Sequence, residues 1–317
     1  QIWELRLKGG EPAAVLLQSS LGLRARWVRL FPRFTGKTAT VTDPGTFFRA
    51  PQIRRFYPNL LTVAFAPVEG VEATCTYWAP SSRVTVGRVS LVNQVKPSEA
   101  LRMEWVALLN PLGEGEAMVA VSSGGQTYLR GRCGAMTVVF LMSGHAKAGR
   151  GSDPALGVSL ETGAGARQEV AWAFANHRDE QEALKLAREA INRRWDAEIA
   201  RIELFNESQL VEFHTHSEAW DAALSLAQKV GFGLFYSGNQ HLPNPSFVLS
   251  REPDNGFSLR GDGSDYPNSW RGQTALDAYY LADLVLPGGV ELIKGVVRNF
   301  LSGQEVTGKI NWRPGLG

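Results

Sequence analysis

A cluster of polar and aromatic side chains stands just before a predicted helix, in the stretch SDYPNSWRGQTALDAYYL at residues 264–281. The cluster consists of Asp265, Tyr266, Trp270, Arg271 and Gln273. A connecting loop has no structural need for two large aromatic residues. Trp270 can offer a flat face to a pyranose ring, and the Arg271 guanidinium offers several donors to ring hydroxyls or to a carboxylate. Gln273 and Asp277 can bond pairs of hydroxyls, so the combination predicts a site for a neutral polyol. In the alternative, Trp270 plugs the helix end and Arg271 pairs with Asp265.

A second tryptophan–arginine pair, Trp312 and Arg313, lies in NWRP at residues 311–314. The motif falls in a predicted loop. Trp312 is interpreted either as a second sugar-facing tryptophan or as a residue that packs against a further helical segment.

Several carboxylates fall in the loop that precedes Trp270, namely Glu252, Asp254, Asp262 and Asp265. Glycoside hydrolysis usually needs two carboxyl groups, about 6.5–9.5 Å apart for inversion and ~5–5.5 Å apart for retention. The spacing GDGSD favours turn chemistry for Asp262 and Asp265 over a sugar contact or a calcium site. Asp265 is kept as a candidate catalytic carboxylate, and no metal site is predicted.

The stretch HTH places His214 and His216 two residues apart. Two imidazoles could ligate zinc, but no cysteine or third histidine lies near them in sequence. A plain segment leading into a helix is therefore favoured.

The composition argues against several classes of partner. The chain has 317 residues and a net charge of +2, from 33 basic and 31 acidic side chains, which gives no attraction for nucleic acid or an anionic membrane. No apolar run approaches the roughly 18 residues of a spanning helix.

The start QIWELRLKGG is typical of neither a signal peptide nor an initiator methionine. We expect a cytoplasmic protein, with a processed, secreted protein as the alternative. Without a dinucleotide fingerprint or phosphate loop, no cofactor is expected.

The first half of the chain predicts strands. Partial alternation and many β-branched or aromatic residues mark the segments 23–31, 60–68, 71–79, 83–93, 100–110, 136–144 and 168–177. SSGGQT at residues 122–127 predicts a hairpin turn. Because no helices intervene, we predict antiparallel sheets packed as a β-sandwich over residues 1–177. The cysteines, Cys75 and Cys133, lie in this half, and buried free thiols are favoured over a bridge between neighbouring strands.

The hydrophobic period changes after residue 177. Asp179 and Glu182 form a capping pair, and apolar residues from Leu184 to Ile202 recur at helical spacing. We predict one helix over residues 179–204, in a linker that spans 178–205.

Residues 206–317 predict further helices separated by long loops, over 216–234, 274–286 and 291–301. Such a set does not close a domain by itself. We therefore expect that the rest of a longer polypeptide, or a partner chain, completes the helical layer.

A sandwich, a linker helix and helices with long polar loops together resemble the six-hairpin glycosidases of the glucoamylase, trehalase, glucosidase I and glycogen-debranching types. The specific part of the resemblance is residues 242–317. There LPNPSFVLSREP, SWRGQTALDAYYL, FLSGQEVTGKI and NWRPGLG are similar to successive pieces of the active-site side of that toroid. WRGQ at residues 270–273 stands where many relatives have a tryptophan followed by Arg-Asp, with Gln273 in place of the acidic partner.

The resemblance implies a fold class of β followed by α: an N-terminal antiparallel β-sandwich, a linker helix and the first part of an (α/α)6 toroid. It also implies a glycoside hydrolase, glucoamylase-like or of the amylo-α-1,6-glucosidase kind, that acts on α-linked gluco-oligosaccharides with inversion. The implied sugar contacts are Trp270, Arg271, Gln273, Asp277, Tyr266, Trp312 and Arg313. The general acid and base are expected beyond Gly317. The alternatives are a glycoside phosphorylase of similar architecture and a non-catalytic carbohydrate-binding or assembly fragment.

Overall fold

The computed structural model describes residues 3–7, 9–10, 16–19, 25–36, 39–81, 83–94, 101–160, 164–238, 242–247 and 273–314. The chain divides into two compact units. The first contains residues 1–56 and 60–195, and the second contains residues 57–59 and 196–317.

The first unit is built from strands joined by short turns. They are β1 (Trp3–Arg6), β2 (Leu16–Ser19), β3 (Ala25–Thr35), β4 (Thr40–Val41), β5 (Arg49–Tyr57), β6 (Leu60–Ala66), β7 (Val71–Ser81), β8 (Val84–Asn93), β9 (Leu101–Pro111), β10 (Gly115–Ser123), β11 (Gln126–Cys133), β12 (Met136–Met142), β13 (Lys147–Ala148), β14 (Ala155–Leu160) and β15 (Arg167–His177). A short 3-10 helix, Pro44–Thr46, follows β4.

The strands form two sheets. One has seven strands in the order β1-β2-β3-β9-β14-β13, with β4 paired to β3. The other has eight strands in the order β10-β11-β12-β15-β8-β7-β6-β5. The central pairings, β3 with β9 and β8 with β15, are antiparallel. Within the described residues, each segment predicted as a strand contains a strand.

The core of the first unit lies between the two sheets. Trp105 of β9 and Trp172 of β15 come from different sheets, and their ring centroids are 5.0 Å apart. Gly87 of β8 makes room for this contact, because a Cβ atom there would lie 2.3 Å from the Trp172 indole. Side chains of alternate residues from both sheets join one buried cluster, which defines a β-sandwich.

Two details predicted from the sequence are confirmed. Gly124 and Gly125 have φ values of +58° and +77° and connect β10 to β11, which is the two-residue hairpin turn that favours glycine. Cys75 and Cys133 are buried and form no disulfide. Burial raises the pKa of the Cys75 thiol to about 12, against a smaller opposing effect of Tyr77.

Two helices, α1 (Glu180–Ile191) and α2 (Trp195–Gln209), follow the sandwich. Asp179 caps α1 by accepting a hydrogen bond from the Glu182 amide at 2.9 Å, as predicted. The prediction of one continuous helix over residues 179–204 is wrong. The Trp195 indole donates to the Ile191 carbonyl at 3.1 Å and stacks on Trp78, with ring centroids 5.4 Å apart. The indole N–H thus bonds to the Ile191 carbonyl, which would accept the Trp195 backbone amide in a continuous helix. The helix is therefore interrupted between Ile191 and Trp195.

The second unit is mainly helical. It contains α3 (Glu218–Gly233), the paired short strands β16 (Phe235–Tyr236) and β17 (Ser246–Phe247), α4 (Ala275–Val285) and α5 (Val290–Ser302). The helices predicted over 216–234, 274–286 and 291–301 are confirmed within one or two residues at each end. Their buried centre includes Phe247, Leu281 and Val296. The fold class, an antiparallel β-sandwich followed by helices, is therefore confirmed.

Several large apolar side chains of the second unit are exposed. They include Leu204, Trp220, Leu276, Tyr279, Tyr280 and Trp312. Side chains of this kind are normally buried, because burial removes apolar surface from water. The helices of the second unit therefore expose more apolar surface than is usual for a closed domain. No helix within the described residues has the length and apolar character to cross a bilayer.

Candidate functional site

The predicted sugar contacts fall into two groups. Asp265, Tyr266, Trp270 and Arg271, like the carboxylates Glu252, Asp254 and Asp262, lie outside the described residues. Gln273, Asp277, Trp312 and Arg313 are described and define the candidate site, which we call the α4 entrance: residues 273–277 and 311–314.

Gln273 is fully buried, with 0% of its surface exposed. Its Oε1 accepts hydrogen bonds from the Ser246 hydroxyl at 2.6 Å and from Asn299 Nδ2 at 3.1 Å. Its Nε2 donates to the Val296 carbonyl at 2.9 Å. The structure therefore places this amide in a network of protein partners beneath the start of α4.

Thr274 and Asp277 cap α4. The Asp277 amide donates to Thr274 Oγ1 at 3.1 Å, and the Thr274 hydroxyl donates to the Asp277 carboxylate. The pair satisfies a free N–H group of the first helical turn, and a carboxylate near a helix N-terminus is favourable. Asp277 is half-buried, so it combines a capping role with access to the surface.

Trp312 joins the second motif to the first. Its backbone carbonyl accepts a hydrogen bond from the Ala275 amide at 3.2 Å, at the first residue of α4. Its indole is 64% exposed, and the Arg313 guanidinium lies over the ring, 5.5 Å from the centroid. Asn311 Oδ1 accepts from the Arg313 amide at 3.0 Å and so shapes the turn. An exposed indole with an adjacent guanidinium can stack on a sugar and donate to its hydroxyls.

Tyr279 and Tyr280 are not among the residues predicted from the sequence as sugar contacts. Their rings are 64% and 61% exposed and meet edge to face, with centroids 5.4 Å apart. The available signal was their position on α4 relative to Leu281 and Val285, which are buried. Exposed aromatic rings one to two turns from Thr274 extend the surface that could contact a sugar.

The sandwich contains a separate buried ionic cluster around Glu104, whose side chain is 4% exposed. Arg33 lies 2.6 Å from one carboxylate oxygen, while Arg102 and the Arg150 amide lie 2.9 Å from the other. Burial acts to raise the pKa of Glu104, but the hydrogen bonds from Arg150, Arg33 and Arg102 and the charge of Arg33 lower it overall. A carboxylate held by so many donors ties β3, β9 and the 149–153 turn together.

Two other features lie apart from the α4 entrance. In the HTH stretch, the Thr215 amide donates to Asp221 of α3 at 2.9 Å, and no group of three potential metal ligands occurs among the described residues. A groove of about 430 Å³ runs along α5, and none of the predicted sugar contacts among the described residues lines it. Its lining consists of Leu286, Val290, Ile293, Lys294, Val297 and Arg298.

Comparison with known proteins supports the fold class. No protein-family model matches the chain, and no curated protein sequence matches it. Among solved structures, it is similar to a protein assigned as a kojibiose phosphorylase from the human microbiome, with a TM-score of 0.51 and 11% identity over 96% of this chain. The chain spans 43% of the length of that neighbour. This likeness shows the fold, a β-sandwich followed by helices.

Two further solved structures align with this chain at TM-scores below 0.5. A bacterial glucoamylase complexed with acarbose aligns with a TM-score of 0.42 and 9% identity, over 60% of this chain and 34% of its own. A protein assigned as an aldose 1-epimerase from Escherichia coli K12 aligns with a TM-score of 0.34 and 8% identity, over 55% of this chain and 99% of its own.

Proposed function

We propose that this chain supplies the sandwich and part of the sugar-binding site of a carbohydrate-active enzyme of the six-hairpin glycosidase type. The observation that carries the proposal is the hydrogen bond from Ala275 to Trp312, which brings the NWRP motif to the start of α4. Trp270 and Arg271 precede Gln273 by only three and two residues. We therefore propose that both tryptophan–arginine pairs lie near the start of α4.

The proposed ligand is an α-linked gluco-oligosaccharide. A neutral polyol is bound by stacking on aromatic faces and by bidentate hydrogen bonds rather than by bulk charge. Trp270 and Trp312 would supply the stacking faces, Arg271 and Arg313 the donors, and Asp277 an acceptor. Tyr266 lies in the same segment of sequence and is kept as a further contact.

The first proposed reaction is hydrolysis by single displacement with inversion. One carboxylic acid protonates the leaving glycosidic oxygen, while a second carboxylate removes a proton from the attacking water. This pair would lie in the part of a longer protein, or of a partner chain, that this chain does not contain. Asp265 is retained as a candidate within the chain. The exposed apolar side chains of α3 and α4 support the proposal that further helices, from a longer protein or a partner chain, pack against them.

The second proposed reaction is phosphorolysis, in which inorganic phosphate replaces the activated water. The similarity to the protein assigned as a kojibiose phosphorylase, over 96% of this chain, favours it. The two reactions differ in their nucleophile, so a single assay separates them.

The test is turnover of gluco-oligosaccharides and α-linked disaccharides with and without inorganic phosphate, using the chain together with any partner it co-purifies with. Strict dependence on phosphate supports the phosphorylase and contradicts the hydrolase. Activity without phosphate supports the hydrolase. Binding without turnover under either condition favours a non-catalytic carbohydrate-binding module.

The matching variant is Trp270→Ala. If Trp270 stacks on sugar, the variant should reduce kcat/KM by more than about tenfold and leave the thermal midpoint nearly unchanged. An equal loss of stability would instead identify Trp270 as a packing residue.

A further inference from the structure

We propose that the turn at residues 57–59 couples α2 to α3 through the ring of Tyr57, and that it acts as a strap across these two helices. We call it the strap turn. It connects β5 to β6 along the chain, but its three residues belong to the second unit. The contacts that carry the proposal therefore all lie inside that unit. The proposal does not depend on a sugar site.

The strap turn bonds to two residues of α2. The Tyr57 hydroxyl donates to the Glu207 carboxylate at 2.6 Å, and Asn206 Nδ2 donates to Asn59 Oδ1 at 2.9 Å. A hydroxyl that donates to a carboxylate makes one of the stronger kinds of hydrogen bond. Tyr57 and Glu207 are 150 positions apart in sequence. A distant part of the chain therefore fixes the second half of α2.

The strap turn also contacts α3. The Lys229 ammonium lies over the Tyr57 ring, 4.8 Å from its centroid. Gly233, the last residue of α3, lies close to the turn, since a Cβ atom there would be 3.3 Å from the Pro58 ring. Tyr57 is 8% exposed. One buried ring therefore contacts a residue of each helix.

The second half of α2 has little other packing to hold it. α3 packs against α4, and no contact of comparable extent joins α2 to α3 in the described part of the chain. Ile202 of α2 is buried, whereas the side chains of Leu204 and Phe205 are 71% and 59% exposed. A helix that buries so little apolar surface gains little stability from packing. The polar contacts of the strap turn are therefore important for the position of α2.

The two charged partners of Tyr57 should strengthen each other. A cation over the ring face draws electron density from the phenol, which makes its hydroxyl a better donor to Glu207. A carboxylate at the hydroxyl enriches the ring, which strengthens its attraction for Lys229. The loss of Lys229 from α3 should therefore loosen α2. A buried tyrosine that merely satisfies its own hydroxyl would show no such effect.

The test is hydrogen–deuterium exchange of backbone amides in the full chain. It compares the wild type with Tyr57→Phe, Lys229→Met and the double variant. Tyr57→Phe keeps the buried ring and removes only the hydroxyl. Tyr128→Phe is a matched control, because the buried Tyr128 donates to Glu180 of α1 at the same distance of 2.6 Å.

We expect amides in residues 203–209 to exchange at least about fivefold faster in Tyr57→Phe, since a hydrogen bond to a charged group is lost. Lys229→Met should accelerate exchange in the same residues about twofold. The double variant should exchange there no faster than Tyr57→Phe alone, because the hydroxyl carries the coupling. Tyr128→Phe should match the wild type throughout α2.

Two results would overturn the coupling: faster exchange in α3 alone for Lys229→Met, or a double variant in which the two single effects multiply. Unchanged exchange of α2 in Tyr57→Phe, or equal acceleration in Tyr128→Phe, would overturn the strap itself. Glu207→Gln removes the charge at the other end of the same bond, from an exposed residue. It should reproduce the pattern of Tyr57→Phe, and it decides the proposal if Tyr57→Phe does not fold.

Discussion

The backbone carbonyl of Trp312 accepts a hydrogen bond from the amide of Ala275, the first residue of α4, at 3.2 Å. The bond satisfies one of the N–H groups that a helix leaves free in its first turn. It also anchors the NWRP motif at the first residue of α4. The Trp312 indole stays exposed while its backbone is fixed, which is the arrangement expected of a binding surface rather than of a packing residue.

Replacing the exposed indole should weaken sugar binding without unfolding the protein. Trp312→Ala is expected to raise the Kd for maltotetraose roughly fivefold, since a stacking contact is worth about 1 kcal/mol. Its thermal midpoint should change little, because the side chain is 64% exposed. Calorimetric titration and thermal unfolding measure the two effects.

Trp220→Ala is the matched control for this prediction. Trp220 lies on α3 and is 67% exposed, but no contact places it at the α4 entrance among the described residues. The control should bind maltotetraose like the wild type. Equal losses of affinity in the two variants would remove the special role of Trp312.

The Glu104 cluster should be important for the stability of the sandwich. Glu104→Gln removes a buried charge and leaves Arg33 and Arg102 without their shared partner, so we expect a loss of about 3 kcal/mol in the free energy of unfolding at neutral pH. The Glu104 pKa is lowered in the folded protein, so its contribution is present above the ordinary value of 4.5 and is lost as the pH falls through the folded pKa. Denaturant unfolding at several pH values should show that the free energies of unfolding of the wild type and Glu104→Gln become equal in acid.

Glu291→Gln provides the comparison for Glu104→Gln. Glu291 pairs with Lys294 at 2.7 Å on an exposed face of α5. Exposed pairs contribute little, so this variant should unfold like the wild type. A loss as large as that of Glu104→Gln would show that burial is not the source of the effect.

Much of the sandwich could be predicted because its strands alternate apolar and polar residues. β5 could not, because most of its residues are exposed and it carries little apolar alternation. The break between α1 and α2 was also hidden, since Ile191 and Trp195 continue the helical spacing through the interruption. Only the tertiary stack of Trp195 on Trp78 shows where the helix ends.

The candidate site was predictable in part for a similar reason. Tryptophan, arginine and an acidic residue near a helix start carry a chemical signature that the sequence displays. Gln273 has the same donors and acceptors whether it faces a sugar or a buried hydrogen bond. Its partners Ser246 and Asn299 are distant in sequence. Whether Gln273 is buried or exposed therefore depends on contacts that no local pattern reveals.

The stability of the sandwich should fall in alkali. The folded protein holds the Cys75 proton up to a pKa of about 12, whereas the unfolded chain releases it near the ordinary value of 9.0. Stability is therefore lost as the pH rises between these values, by up to about 1.4 kcal/mol per pH unit from this group. Cys75→Ala should unfold with a shallower dependence on pH over this range. If the free energy of unfolding of the wild type and of Cys75→Ala depended on pH in the same way, the raised pKa of Cys75 would be contradicted.

Gly87 should tolerate no side chain. The Cβ atom of Gly87→Ala would lie 2.3 Å from the buried Trp172 indole, which cannot move without disturbing the core. We expect a loss of about 2–3 kcal/mol in the free energy of unfolding.

Gly36→Ala is the control for Gly87→Ala, because its nearest neighbour would be a carbonyl oxygen at 4.0 Å. It should be neutral or slightly stabilising. A neutral Gly87→Ala would show that the packing of Trp172 against β8 is looser than the structure has it.

Under the proposed function, a gluco-oligosaccharide binds at the α4 entrance in contact with Trp270 and Trp312. The most direct measurement is an NMR titration of the indole N–H signals of the nine tryptophans with maltotetraose. Trp270→Phe and Trp312→Phe assign the two relevant signals. We expect these two signals to shift most and to saturate together. Binding that shifts other indoles and leaves both of these unchanged would contradict it.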